Sequence, residues 1–125
     1  MDRYIFETMS EQKSISQLVA KHFNLVQHVV EQAIIQRNQL GSVQIAPDID
    51  LPHVVLPNLS YQGILLLRSW DKFHLIMIID NQYPSKNIIT VLNFFLSDTG
   101  LKKLRTIITQ QDLTYIIKEV LKHAR

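Results

Sequence analysis

Apolar and polar positions along this chain follow three rhythms. The opening run "YIFETM" reads as a short strand, and Ser10 behind it is a candidate helix N-cap. From Glu11 onward Ile15, Leu18, Val19, His22 and Phe23 recur at the spacing of one helical face, until Asn24 breaks the pattern. A second helix follows with Val26, Val29, Val30, Ala33, Ile34 and Arg37 on its inner side, ending near Gly41.

The middle of the chain is extended. "SVQIAPDIDLPH" is interrupted by prolines, which suits an edge strand or an ordered loop. "GILLLRS" and "FHLIMIID" are short and almost continuously apolar, as strands covered on both faces tend to be. "DNQYPS" then reads as a turn. Helical spacing returns with Ile88, Ile89, Leu92, Phe95 and Leu96, is punctuated by "SDTG", and resumes with Leu101, Leu104, Ile107 and Ile108. Thr109 and Asp112 stand in the relation of a capping box. They open a last helix whose apolar face is Leu113, Ile116, Ile117, Val120 and Leu121. The order is strand, two helices, about three strands, then two or three helices. It predicts an α/β fold: a single layered domain over residues 1–125, with a central mixed β-sheet flanked by helices.

Composition narrows the function classes. A chain of 125 residues with 46% hydrophobic and 19% charged residues is long and apolar enough for a real core. The net charge is +2 and the basic residues are scattered, which argues against direct nucleic acid contact. "SISQLVAKHFNLVQHVVEQ" is not a DNA-reading helix pair, because its second helix has no cluster of Arg, Lys, Asn or Gln aimed at one groove. The absence of cysteine excludes disulfide and thiolate chemistry and suits a reducing compartment. The opening "MDRYIFETMSEQK" lacks a signal pattern, and no apolar run approaches the ~20 residues of a membrane span. The expectation is a cytoplasmic protein with no membrane insertion.

Candidate chemistry rests on five histidines. His22 and His28 lie six apart and do not share a helical face, His123 suits the last turn of a helix, and His74 falls inside a strand. No metal-binding spacing, dinucleotide fingerprint or phosphate loop occurs, so neither metal nor cofactor is expected. Asp48, Asp50, Asp71 and Asp80 read as solvated loop charges. His53 is left, in "DIDLPHVVLP".

The stretch "QRNQLGSVQIAPDIDLPH", from Gln36 to His53, resembles the phosphoacceptor segment of mannitol/fructose-type enzyme IIA domains of the bacterial sugar phosphotransferase system. Arg37, Leu40, Gly41, Ser42, Ile45, Ile49, Pro52 and His53 coincide with that family's pattern. "YIFETMSEQKSISQLVAKHF", "HLIMIID" and the closing helices from "IITVLNFFLSDTG" onward are similar to its other elements, so the likeness spans the chain.

The resemblance implies that His53 accepts a phosphoryl group from the phosphocarrier HPr, with Arg37 neutralising phosphate oxygens. It places Ser85 where mannitol-type members carry a second histidine. The loop before His53 lacks the family's glycines, Asp48 and Asp50 add negative charge, and only "WDK" separates the two apolar strands. Strand alternation would turn both aspartates away from Leu51 and His53. These departures favour a regulatory copy, within a sugar-responsive transcription activator or antiterminator, over a transport component passing phosphate to a IIB partner. A third reading is an interaction domain of this fold that is never phosphorylated.

Overall fold

The computed structural model describes residues 2–10 and 12–124. Strand β1 (Asp2–Thr8) is followed by helices α1 (Ile15–Phe23) and α2 (Gln27–Asn38). Three short strands come next: β2 (Gln44–Ala46), β3 (Ile49–Asp50) and β4 (His53–Leu56). Two long ones, β5 (Gln62–Arg68) and β6 (Phe73–Asp80), complete the sheet, and α3 (Lys86–Phe95), α4 (Asp98–Leu104) and α5 (Gln110–Lys122) close the chain.

Local chemistry sets most boundaries. Ser14, rather than Ser10, caps α1, its hydroxyl accepting from Gln17 N at 3.1 Å. Ser10 instead closes a turn, its carbonyl accepting from Lys13 N. Asn24 ends α1 in the left-handed region at φ 56°, which asparagine tolerates. Ser97 caps α4, and the Thr109–Asp112 capping box opens α5 with both reciprocal bonds made.

The sheet is mixed, in the order β1-β5-β6-β3-β2, with β4 also paired to β6. β5 and β6 form an antiparallel hairpin at the centre, and β1 joins β5 in parallel. β3 pairs with the start of β6 and β4 with its end, both in parallel. β3 and β4 are thus one line of strand along β6, broken at Leu51–Pro52, with β2 folded back on the β3 half. Proline explains the break, because it has no N–H to give to a ladder.

Alternate residues of β5 and β6 feed two cores. Leu65, Leu67, Ile76 and Ile78 pack with Val54 beneath Leu18, Val19 and Phe23 of α1 and Val30 of α2. Ile64, Leu66, Leu75 and Ile79 pack on the other face beneath Ile88, Phe95, Leu104, Leu113 and Ile117. Burial on both faces is why these strands read as unbroken apolar runs. Gly63 is required by packing, since a Cβ there would run into the Arg3 carbonyl oxygen and the Phe23 ring.

The helical faces differ from the sequence pattern in places. In α2 only Val30 is buried, while Val26 at the N-cap, Val29 and Ile35 stay exposed. In α3 Val91 joins the core, and Ile89 and Leu96 face outward. Ile107 is buried and Ile108 exposed, because α4 has ended and the backbone no longer keeps helical phase.

Candidate functional site

His53 is the first residue of β4, directly after the Pro52 break, and pairs with Met77 of β6. Pro52 is held by its carbonyl, which accepts from Met77 N at 3.0 Å, so the backbone entering His53 is anchored. The imidazole is half-buried. Its Nδ1 is shut off from solvent and has no hydrogen-bond partner among the described residues, whereas Nε2 is not enclosed in this way. The ring therefore offers one nitrogen, Nε2, to an incoming group.

Burial first, and then the Arg37 guanidinium, hold the His53 pKa below the ordinary imidazole value of 6.5; the Leu51 backbone pulls in the other direction. Both effects favour the neutral ring, which has an unprotonated nitrogen. Arg37 comes from the last turn of α2, where its Nη1 donates to the Gly41 carbonyl at 3.3 Å. The structure thus brings a cation and a neutral imidazole into one neighbourhood, from α2 and β4.

Ser85 has a structural place at the start of α3. It is the N-cap of α3, its Oγ accepting from Ile88 N and donating to Asp2 Oδ2 at 2.7 Å. Its N–H donates to Gln62 Oε1 at 2.9 Å, beside Asp80 at the end of β6. His53 pairs with Met77, three residues before Asp80 along that strand. The Ser85 hydroxyl is tied to the strand ends.

The two aspartates part company. Asp50 accepts from His74 Nδ1 at 2.7 Å, across the β3–β6 pair. Its neighbours Ile49 and Leu51 join the core on the α3–α5 side, so alternation holds for Asp50. It does not hold for Asp48, which with Pro47 forms the turn between β2 and β3 and lies outside any strand. Asp48 instead takes a two-pronged bond from Arg105, Nε and Nη2 each at 2.9 Å, at the end of α4. Arg105 holds the Asp48 carboxyl below the usual carboxylate range.

Two features lie outside the sequence-based expectations. A cleft of about 280 Å³ lies beside the α2–β4 segment, lined by Asn38, Ser42, Gln44, Asp50 and Lys72 among others. Asp80, read from sequence as a solvated charge, is buried and accepts from the N–H groups of Gln82, Tyr83 and Leu59. Those bonds lower its pKa. The clue was an Asp at the head of "DNQYPS", a turn position at which Asp commonly bonds backbone two residues on. Among the described residues no group of three or more His, Cys, Asp or Glu could hold a metal ion, and no helix is long and apolar enough to cross a membrane.

No protein-family model matches the chain, and no curated protein matches it. Among solved structures it is similar to the nitrogen regulatory protein IIA-Ntr from Neisseria meningitidis, with a TM-score of 0.64. The likeness covers 90% of this chain and 92% of that one at 15% sequence identity. The chain therefore shares the fold of that IIA-Ntr protein, here a six-stranded mixed sheet between two helical layers.

Proposed function

We propose that this chain is a phosphohistidine-accepting IIA-like domain spanning residues 1–125, of mannitol/fructose descent and regulatory use. The observation that carries the reading is the His53 ring, its Nδ1 enclosed without a partner and its neutral form favoured by burial and by the Arg37 charge. In the step, the Nε2 lone pair attacks the phosphorus of a phosphohistidine on HPr. The phosphorus–nitrogen bond to the donor breaks and its electron pair leaves with the donor ring. Charge neutralisation and positioning supply most of what such a transfer needs. Arg37 provides the first, with the fork geometry that suits phosphate oxygens. The anchored Pro52–His53 backbone provides the second.

Three observations support regulation over transport. The structural neighbour is by name a regulatory protein. Ser85 is bound to Asp2 rather than to the His53 neighbourhood. The loop ahead of His53 has no glycine between Ser42 and Pro52. The phosphorylated domain would then signal to the rest of a transcription regulator in the cytoplasm; in the runner-up reading it passes phosphate to a IIB partner.

Incubation with enzyme I, HPr and phosphoenolpyruvate tests the proposal. Acid-labile label mapped to His53 on the wild type, and absent from that position in His53→Ala, is expected. No label at residue 53 of the wild type would leave only a docking domain of this fold. Release of the label to a IIB domain would favour transport.

A further inference from the structure

The five histidines sit in different surroundings. His22 spends its Nε2 on Glu7, His123 reaches Glu119 at 3.6 Å through Nε2, and His53 has an orphaned Nδ1. His74 alone among the described residues has Nδ1 bonded to a carboxylate, Asp50 at 2.7 Å, with no partner on Nε2. Nor is that Nε2 among the enclosed, unpartnered atoms of the molecule. A carboxylate on Nδ1 fixes the tautomer, so that Nδ1 carries the proton and Nε2 the lone pair. It also offsets the positive charge the ring gains when Nε2 forms a bond.

The pair is built into the sheet. Asp50 and His74 are directly opposite one another on β3 and β6, so the backbone register sets their geometry. The neighbouring pair, Ile49 and Phe73, is buried, which pins that register. Asp50 lines the cleft beside Lys72 and Ser42, whereas His74 is not one of its lining residues. The His74 side chain is 14% exposed and that of Asp50 34%.

We infer that His74 is a second nucleophilic imidazole, oriented by Asp50, that accepts a phosphoryl group from a phosphoramidate donor. The choice of a phosphoryl group rests on the reading of His53; the nucleophilicity of His74 does not. In the step, the Nε2 lone pair of His74 forms the new phosphorus–nitrogen bond. The bond from phosphorus to the donor nitrogen breaks, and that nitrogen leaves with the electron pair. The Nδ1 proton stays between the ring and Asp50. Asp50 is a positioning residue, since it touches the ring and not the phosphoryl group.

The test uses the full chain and potassium phosphoramidate, a small donor that needs no docking surface. Site-resolved mass spectrometry at mildly alkaline pH follows each phosphohistidine over time in wild type, His53→Ala and Asp50→Asn. His74 is expected to be labelled in wild type and in His53→Ala, at least as fast as the exposed His28. Asp50→Asn is expected to slow labelling of His74 by about tenfold or more while leaving His28 unchanged. A merely structural pair would give the opposite: His74 unlabelled, or slower than His28, or indifferent to Asp50→Asn. The wild-type comparison with His28 stands even if Asp50→Asn loosens β3. Label at His53 is read separately in the same spectra, so failure there and failure at His74 are distinguishable.

Discussion

At the residue scale, the displaced titrations of His53 and Asp80 each make a prediction with a sign. Burial and Arg37 disfavour the charged form of His53, so its folded pKa lies below the unfolded value of 6.5. The unfolded chain then binds more protons in that interval, and stability is lost as pH falls from about 6.5 through the folded value. A His53→Gln variant should show a flatter stability profile there, read from denaturant melts at stepped pH. Arg37→Gln removes one of the two depressing causes. The His53 titration, followed by NMR, should move up towards 6.5, and phosphoryl acceptance should fall by about a hundredfold if Arg37 stabilises the transferring charge. Asp80 behaves as a carboxylate clamp, its folded pKa lowered by the Gln82 and Tyr83 amides. Its contribution is present above the unfolded value of 3.8 and fades as acid carries the pH through the lower folded one. Asp80→Asn should be less stable at neutral pH and should show a shallower acid slope.

The most consequential contact between elements is a single glutamine. Gln110, at the start of α5, accepts from Phe6 N at 2.7 Å and donates to Tyr4 O at 2.8 Å. Its side-chain amide thus bonds the outer edge of β1 as a neighbouring strand would. Gln110→Ala should destabilise the fold by about 1–2 kcal/mol, two exposed bonds' worth, measured by urea unfolding. Thr109→Ala, one residue earlier, should cost about 1 kcal/mol through the capping box alone. The box was legible in the sequence because its residues stand at a fixed spacing; the Gln110 contact was not, because it spans 104 to 106 positions. The same division runs through the rest of the structure. β5 and β6 stood out as unbroken apolar runs, and α5 is long enough for its helical periodicity to show. β2, β3 and β4 are two to four residues each, too short for a rhythm, and only the prolines hinted at their breaks. Asp48 was misplaced because alternation was carried through a turn. Arg37 and His53 drew attention through resemblance, whereas Asp50–His74 depends on a cross-strand register that no local spacing reveals.

Across the whole molecule, side chains bond strand backbone at the β1 and β2 edges, while β4 pairs with β6 alone. Gln110 covers β1. At the β2 end, Ser42 Oγ accepts from Gln44 N and Gln44 Nε2 donates to the Ala46 carbonyl, each at 3.1 Å. Bare strand edges invite pairing with another chain, and self-capped ones do not. Sedimentation velocity should therefore report a monomer for the wild type, and Gln110→Ala should show concentration-dependent association.

The Gln110 bridge also bears on synthesis. Of the sheet's strands β1 is made first, but its inner partner β5 begins sixty residues later and its outer cover comes only with α5. Long-range pairing of this kind delays folding and leaves strands open to wrong partners in the interval. The opening strand is thus the last part of the sheet to be sealed. While α5 is still being made, it is where a chaperone, or a second nascent chain, has its best chance to bind.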